Sequence, residues 1–410
     1  MSRILNFSFK VWILAAGRLL SEIGTGFTLF YAPIFFVNQV GLSSTMVGLA
    51  LGSGSVSGVV GRILGGQGVD SPNWGRRKIL LTSAAISILA DVVLAQTANF
   101  PTLVLGNLLM GFGIGMYWPA TEAAIIDLTT PQQRNEAFAI TRLADSLGLS
   151  LGVVLGGALI SNSGNYRSLF IIDGISFAVF FAVIYLAIAE TYRFQPQAAA
   201  QTNGWSLALR DRALMTFVLV NILFTIYLSQ VQSTMPLYLK NFVSGNLGAG
   251  FDEKVISGLF TWHIVFAAVV QLPAAWLLNR YSRLTGLGVS LLLWGLAFIL
   301  VWITGIMPDN TLVWAILTLG VMSLGMVTYT PIASGLVAEL APESLRGVYL
   351  SINSQCWAIG YFIGPPLGGW ALDHPQLINY FWLLCAASVF LGLAILRYLK
   401  QLMQVRKAIL

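Results

Sequence analysis

Long apolar segments without charged residues recur along the whole chain. Residues 103–121, 147–160 and 287–306, for example, contain no Asp, Glu, Lys or Arg. An α-helix needs about 20 apolar residues to cross a hydrocarbon layer of roughly 30 Å. The pattern therefore predicts an all-α membrane protein with twelve transmembrane helices. The predicted spans are 11–37, 45–67, 79–98, 102–128, 136–160, 168–189, 213–242, 255–278, 284–306, 312–340, 347–372 and 379–399.

Composition supports this class. Of the 410 residues, 57% are hydrophobic and 9% are charged, whereas a soluble domain carries about 25% charged residues. The two cysteines, Cys356 and Cys385, lie in apolar segments and have no metal-ligand spacing. The apolar run after the basic N-terminus shows no credible cleavage site, so it is interpreted as the first span.

The basic residues sort to one side of the predicted membrane. Sixteen of the 22 lie in the termini and in alternate loops, and this side is cytoplasmic by the positive-inside rule. We therefore expect a multi-pass protein of a bacterial inner membrane with both termini in the cytoplasm. The net charge of +6 is then a topology signal, and no nucleic-acid partner is expected.

The chain is organised as two halves. A polar segment of low complexity around residues 195–201 lies at the midpoint. We predict an N-terminal six-helix half at 1–190, a cytoplasmic linker at 191–212 and a C-terminal six-helix half at 213–410.

The two halves carry a repeat at a constant offset of 212 residues. It relates the fourth and fifth spans to the tenth and eleventh in the same orientation. Parallel six-span halves of this kind are a transporter architecture with a substrate site near the midplane. The matches are Gly113 with Gly325, Pro119 with Pro331, Asp127 with Glu339, Arg134 with Arg346, Gly148 with Gly360, Gly152 with Gly364, and Gly156-Gly157 with Gly368-Gly369.

Glycines at every fourth residue form a stripe in the fifth span, from Gly148 to Gly156, and in the eleventh, from Gly360 to Gly368. Small residues allow helix backbones to approach closely in lipid. The stripes indicate helix packing or a part in conformational switching. The adjacent Pro365 and Pro366 are expected to bend or weaken the eleventh span.

These features resemble the major facilitator superfamily over essentially the whole chain. The loop after the second span has the family's glycine and, four residues on, its aspartate, as Gly66 and Asp70, followed by Gly75-Arg76-Arg77. The glycine pattern is most similar to the twelve-span drug/proton antiporter branch. That branch has its Gly-Pro in the fifth span, where this chain has Gly152-Val153, and the complete pattern appears in the eleventh span. Asn107 also replaces an arginine usual in the fourth span.

The resemblance implies two rocking bundles with a cavity lined by the first, fourth, seventh and tenth spans. Glu22, and secondly Glu122, are the candidates for proton coupling, because an ionisable group inside a span is costly unless it is paired or wetted. A fixed Arg18–Glu22 pair is the alternative for Glu22. The candidate substrate-cavity residues are Arg18, Glu22, Tyr117, Trp118, Glu122, Tyr227, Gln230, Tyr329 and Thr330.

Other charges receive different interpretations. Arg142 and Asp145 are three residues apart and indicate a structural pair, and Asp91 and Asp173 are taken as cross-helix partners. The resemblance also implies a cytoplasmic charge network that gates transport. Its candidate members are Asp70, Arg76, Asp127, Arg134, Glu339 and Arg346, whereas the matching loop of the second half, at 279–283, is degenerate.

No phosphate-binding loop, metal motif or catalytic triad spacing occurs. We therefore expect neither an enzyme nor a bound cofactor or metal. The expected function is proton-coupled efflux of amphiphilic or drug-like molecules by a monomer in the lipid bilayer. The alternatives are a transporter for a specific metabolite or siderophore, and a lipid-handling or sensing protein without coupled transport.

Overall fold

A computed structural model of the protein describes residues 9–130, 133–190, 204–243, 250–278, 280–342 and 345–409. Across these residues the chain is helical, with connecting turns and no strand, which confirms the predicted all-α class. Residues 191–203 of the predicted linker lie outside the described part. In the remainder of that linker a short helix follows at 204–210.

The helices of the first half are α1 (Phe9–Leu29), α2 (Ala32–Asn38), α3 (Ser44–Val69), α4 (Gly75–Ala95), α5 (Phe100–Leu128), α6 (Arg134–Ser163) and α7 (Arg167–Ala187). Those of the second half are α8 (Gly204–Arg210), α9 (Arg212–Asn241), α10 (Glu253–Leu278), α11 (Arg283–Ile306), α12 (Thr311–Leu340), α13 (Arg346–Leu372) and α14 (Ile378–Ile409).

Eleven segments of the described chain are long and apolar enough to cross a membrane. The first of them combines α1 and α2, and the others are the remaining long helices apart from α13. The helix α13 has 27 residues and occupies the predicted eleventh span. Its first half is more polar, because four of the five residues from 351 to 355 are polar, namely Ser351, Asn353, Ser354 and Gln355.

The first span was predicted as one continuous helix, and the structure divides it at Phe30 and Tyr31. Pro33 is the second residue of α2, and a proline has no backbone N–H to continue the hydrogen bonds of the preceding helix. The Tyr31 hydroxyl donates to the carbonyl of Val153, at 2.9 Å, which holds the break against α6.

The chain divides into two compact units, Met1–Pro196 and Gln197–Leu410. Within the first unit α1 packs on α6, α4 on α5 and α7, and α3 on α5. Within the second unit α9 packs on α13, α11 on α12 and α14, and α10 on α12. Each unit therefore repeats the same scheme of helix pairs.

Individual contacts also repeat. The Ser83 hydroxyl of α4 donates to the carbonyl of Gly113, at 2.9 Å, and the Ser290 hydroxyl of α11 donates to that of Gly325, at 2.7 Å. The two glycines are a pair in the 212-residue repeat. The helices α6 and α13 likewise begin at a repeat pair, Arg134 and Arg346.

The glycine stripes lie at helix contacts inside each unit. A Cβ atom on Gly152 of α6 would meet the carbonyl of Ile23 and the Cα of Gly26, both in the backbone of α1. A Cβ on Gly364 of α13 would meet the Ser229 side chain of α9. Close packing therefore accounts for both stripes. The helix α13 runs unbroken through Pro365 and Pro366, and the expected bend or weakening at these prolines stays a prediction.

Replacing Gly152 with alanine should destabilise the first unit by about 1–3 kcal/mol, because the added methyl group meets backbone that has no rotamer to change. The measurement is the denaturation of the purified protein in detergent. Gly258→Ala in α10 is the matched control, because nothing lies within 4 Å of a Cβ added there. Equal stability of the two variants would contradict the packing role.

Candidate substrate and proton site

The charged residues inside the spans lie almost entirely in the first half. The segments 213–239, 255–278, 284–306, 311–338, 347–372 and 378–396 of the second half contain no Asp, Glu, Lys or Arg. The corresponding helices of the first half carry eight, which are Arg18, Glu22, Arg62, Asp91, Glu122, Arg142, Asp145 and Asp173. The Asp, Glu, Lys and Arg side chains within the spans therefore belong to the first unit, whereas the second unit has the buried His263 within α10.

Arg18 of α1 forms a two-bond ion pair with Asp145 of α6. Its Nε lies 2.8 Å from Oδ1, and its Nη2 bonds Oδ2. Arg18 is 2% exposed, so this pair satisfies a charge that lipid would otherwise make costly. The predicted Arg18–Glu22 and Arg142–Asp145 pairs are both wrong. A planar guanidinium binds a carboxylate on the facing helix through two bonds, and Arg142 is exposed instead.

Two aromatic rings of α5 cover the Arg18 guanidinium. Its central carbon lies 5.7 Å from the ring centre of Tyr117 and 5.0 Å from that of Trp118. Both distances suit cation–π attraction. These three predicted cavity residues therefore come together, with Asp145 as a fourth member that the sequence analysis placed elsewhere.

Glu22 lies one turn beyond Arg18 on α1 and is half-buried. No described residue donates a hydrogen bond to its carboxylate, while the charges of Asp145 and Arg18 act on it with opposite signs. Glu22 is thus a carboxyl group without a fixed partner next to an arginine that has one.

Glu122 of α5 is exposed, four residues beyond the ring of Trp118. Thr330 of α12 is also exposed, and its hydroxyl donates to the carbonyl of Met326 at 2.9 Å. Because an exposed carboxylate within a span is unfavourable against lipid, Glu122 is best accommodated facing water-filled space.

The second unit has a neutral counterpart of the Arg18 cluster. The Tyr329 hydroxyl of α12 donates to Oδ1 of Asn221 at 2.5 Å, and Nδ2 of Asn221 donates to Oδ1 of Asn353 at 2.9 Å. These residues join α9, α12 and α13, as Arg18, Tyr117 and Asp145 join α1, α5 and α6. Asn221 and Asn353 were missed, although Tyr117 and Tyr329 are themselves a pair at the 212-residue offset.

Two other predicted cavity residues are packing residues. Tyr227 is 1% exposed, bonds Ser388 Oγ at 2.5 Å and packs against Trp294. Gln230 donates to the carbonyl of Gly364 at 2.8 Å and accepts from the Thr234 hydroxyl at 2.6 Å. Their polar groups are therefore already bonded within the second unit, to α14, to α13 and to α9 itself, and the position of a residue along its helix does not show such bonds.

Part of the predicted charge network forms at the start of α4. Nε of Arg76 lies 2.9 Å from Asp127, its Nη2 lies 3.7 Å from Asp70, and its Nη1 donates to the carbonyl of Val69 at 2.7 Å. A residue that the sequence analysis missed, Glu190, accepts from the backbone N–H groups of Arg76 and Arg77 at 2.9 and 3.2 Å. A carboxylate at a helix N-terminus is favourable.

The second unit repeats this ion pair. Nε of Arg283 lies 3.3 Å from Glu339, and Glu339 is the repeat partner of Asp127. Arg283 was missed because the loop before it lacks the family's pattern. Arg134 and Arg346 begin α6 and α13, and Nε of Arg134 has no hydrogen-bond partner among the described residues. Within the first unit Arg76 thus brings together Asp70 and Asp127, and within the second unit Glu339 pairs with Arg283.

The sequence profile described as "Major Facilitator Superfamily" matches residues 14–250 and 241–408. The chain belongs to the major facilitator superfamily. It is therefore a membrane transporter by family, as the parallel repeat predicted.

Relatives cover nearly the whole chain at low identity. The chain is 25% identical over 372 residues to the multidrug resistance protein MdtH of Aeromonas hydrophila, covering 91% of this chain and 90% of that protein. It is 23% identical to the uncharacterized MFS-type transporter YqjV of Bacillus subtilis, covering 88% and 86%.

Solved structures share the fold. The nucleoside transporter NupG superposes with a TM-score of 0.80 at 15% identity, covering 96% of this chain and 99% of that one. A peptide transporter POT in complex with alafosfalin gives a TM-score of 0.79 at 16% identity, covering 96% and 94%.

Arg18→Met should destabilise the protein by about 3–5 kcal/mol, because it leaves the Asp145 carboxylate without its cation. The double variant Arg18→Met/Asp145→Leu should recover most of that loss in the same denaturation measurement. Arg142→Met, on an exposed arginine of α6, is the control and should shift stability by no more than about 0.5 kcal/mol. A double variant as unstable as Arg18→Met would contradict the pairing.

Double-mutant cycles should separate the two repeated ion pairs. Arg283–Glu339 has side chains 45% and 43% exposed and should couple by about 0.2–1 kcal/mol. Arg76–Asp127 has side chains 12% and 21% exposed and should couple more strongly, with less loss at high salt. Equal coupling energies and equal salt dependence would contradict this difference.

Proposed function

We propose that this protein exports amphiphilic or drug-like molecules across a bacterial inner membrane in exchange for protons. Both termini would lie in the cytoplasm, as the distribution of basic residues indicates. The two bundles would rock around a midplane site so that it opens to one side at a time.

The observation that carries the proposal is the free carboxyl group of Glu22 beside the Arg18–Asp145 pair. Protonation neutralises Glu22 and removes a charge that is costly in a low-dielectric site. Because Arg18 is committed to Asp145, it does not compensate that charge through a direct bond. Glu22 is therefore free to exchange a proton for the positive charge of a substrate.

The aromatic surroundings support the substrate class. Trp118, which is partly exposed, has ring surface beside Arg18, with Tyr117 buried behind it, and Glu22 adds a negative charge on the neighbouring turn. Aromatic faces together with a carboxylate attract lipophilic cations. The relatives named multidrug resistance protein MdtH support the same class, and the proposal extends that name to this chain.

The test is transport by the purified protein in liposomes with an imposed pH gradient. We expect the gradient to drive accumulation of a lipophilic cation such as ethidium. Glu22→Gln should abolish this accumulation yet retain exchange of labelled for unlabelled substrate, because the amide cannot release a proton. Glu136→Gln, in the first turn of α6, is the matched control and should behave as the unaltered protein.

Three outcomes would overturn the proposal. Movement of the cation at one rate with and without the gradient, unchanged by Glu22→Gln, would favour a lipid-handling or sensing protein. Selective binding of one metabolite or siderophore in a ligand screen would favour a specific transporter. Gradient-driven transport that Glu22→Gln leaves intact would exclude Glu22 as the coupling residue.

A further inference from the structure

Asp91 of α4 and Asp173 of α7 are two carboxyl groups for which the proposed function has no use. Each is 1% exposed, and the two lie within electrostatic reach of each other. Asp91 packs against the residue that follows Asp173, since a Cβ atom on Gly174 would lie 3.2 Å from the Asp91 Cβ. They are therefore neighbours in the interior of the first unit.

The pair has too few hydrogen-bond donors for two carboxylates. Neither oxygen of Asp91 has a hydrogen-bond partner among the described residues. Asp173 receives the Thr28 hydroxyl at 3.3 Å and the Ser176 hydroxyl at 3.5 Å, but these hydroxyls lie nearer to the carbonyls of Thr25, at 3.1 Å, and Asp173 itself, at 2.7 Å. A hydroxyl group has one proton to donate.

A second buried group on α4 is also unsatisfied. Ser87 lies one turn before Asp91, is 1% exposed, and its Oγ has no hydrogen-bond partner in the described part of the chain. Three polar oxygens on one face of α4 thus lack partners in the same interior region. Each such atom is costly in a low-dielectric interior.

Among the described residues, no positively charged side chain forms an ion pair with Asp91 or Asp173. Arg167 at the start of α7 donates instead to the carbonyls of Ala95 and Thr97, at 2.6 and 3.3 Å. From α1 the facing titratable group is Glu22, another acid, and Arg18 is held by Asp145. The only charged side chain of α3 is Arg62, which is exposed. The helix α5 packs against this part of α4 through Gly106 and Gly113, which have no side-chain charge. The three basic residues of α4 lie at its opposite end.

Two adjacent buried carboxylates without a cation are strongly unfavourable, because each carries a desolvation cost and they repel each other. A single proton removes one charge and supplies the missing donor. We propose that Asp91 and Asp173 bind one proton as a unit and form a resident proton site inside the first bundle.

This site is coupled to α1. Gly24 lies directly against Asp173 and Ser176, where a Cβ atom would have no space, and Thr28 bonds Asp173. Thr28 is about 15 Å along α1 from Arg18, close to the break at Phe30 and Tyr31. Loss of the proton would place two negative charges near this end of α1, so binding of the proton stabilises the contact between α1 and α7.

Infrared spectroscopy of the purified protein in lipid nanodiscs tests the site without substrate or gradient. At neutral pH we expect the carbonyl stretch of a protonated carboxylic acid, and this band should shift when aspartate carboxyl carbons are labelled with ¹³C. Asp91→Asn and Asp173→Asn should each remove it, because the amide supplies N–H donors and leaves the remaining carboxylate ionised. Glu22→Gln and Asp309→Asn, the latter at an exposed position, should retain it.

Absence of an aspartate-derived band in the unaltered protein would overturn the proposal, even if neither asparagine variant folds. So would a band that persists in both folded variants. Saturable loss of the band on replacing choline chloride with sodium chloride would instead assign a sodium site. Because transport is not measured, failure of this test leaves the proposed export function standing, and failure of export leaves the proton site standing.

Discussion

Helices surrounded by lipid gain little by hiding apolar surface from each other, so their association depends on how closely their backbones approach. In this protein glycine makes that approach possible at major contacts of the first unit. Gly111 and Gly115 of α5 lie against the carbonyls of Gly54 and Gly58 in α3, and Gly152 of α6 lies against Ile23 of α1. These contacts set the helix register that places Arg18 opposite Asp145.

Once the register is set, the interior charges divide into satisfied and unsatisfied groups. Arg18 and Asp145 satisfy each other, and the rings of Tyr117 and Trp118 cover the guanidinium. Glu22 and Asp91 receive no hydrogen bond from the described residues. Buried ionisable groups without partners cluster at the ligand-binding and functional sites of proteins. For the unpaired carboxyl groups of the first unit, the smallest suitable ligand is a proton.

The sequence predicted the helices well because membrane spans are specified by length and apolarity, which are properties of single segments. Contacts between segments were harder to predict. The partner of Arg18 depends on which face of α1 meets α6. The i,i+4 spacing suggested a pair with Glu22, but Arg18 instead bonds Asp145 on the facing helix α6. Tyr227 and Gln230 were predicted to be cavity residues because the family resemblance places the seventh span at the cavity, yet their polar groups bond to α14 and α13.

Internal symmetry was the most informative signal for the residues that were missed. Arg283 relates to Arg76 as Ser290 relates to Ser83, with an offset of 207 residues, and both arginines bind the acid at the end of the next helix. These two pairs lie outside the 212-residue offset of the glycine repeat. Residues in the third span of each half match at an offset of 207, and residues in the fourth span match at 212. The second half is therefore longer than the first between these two spans, and the additional residues lie in the α11–α12 hairpin.

The neutral junction of Asn221, Tyr329 and Asn353 has an electrical consequence. A membrane potential does work only on charge that moves through the field, at about 2.3 kcal/mol per elementary charge per 100 mV. The spans of the second unit carry no Asp, Glu, Lys or Arg between their ends, so the side chains of these four types on which a voltage can act within the spans lie in the first unit. A movement of the first bundle through the field therefore carries interior side-chain charge with it, whereas the same movement of the second bundle carries none from these residue types.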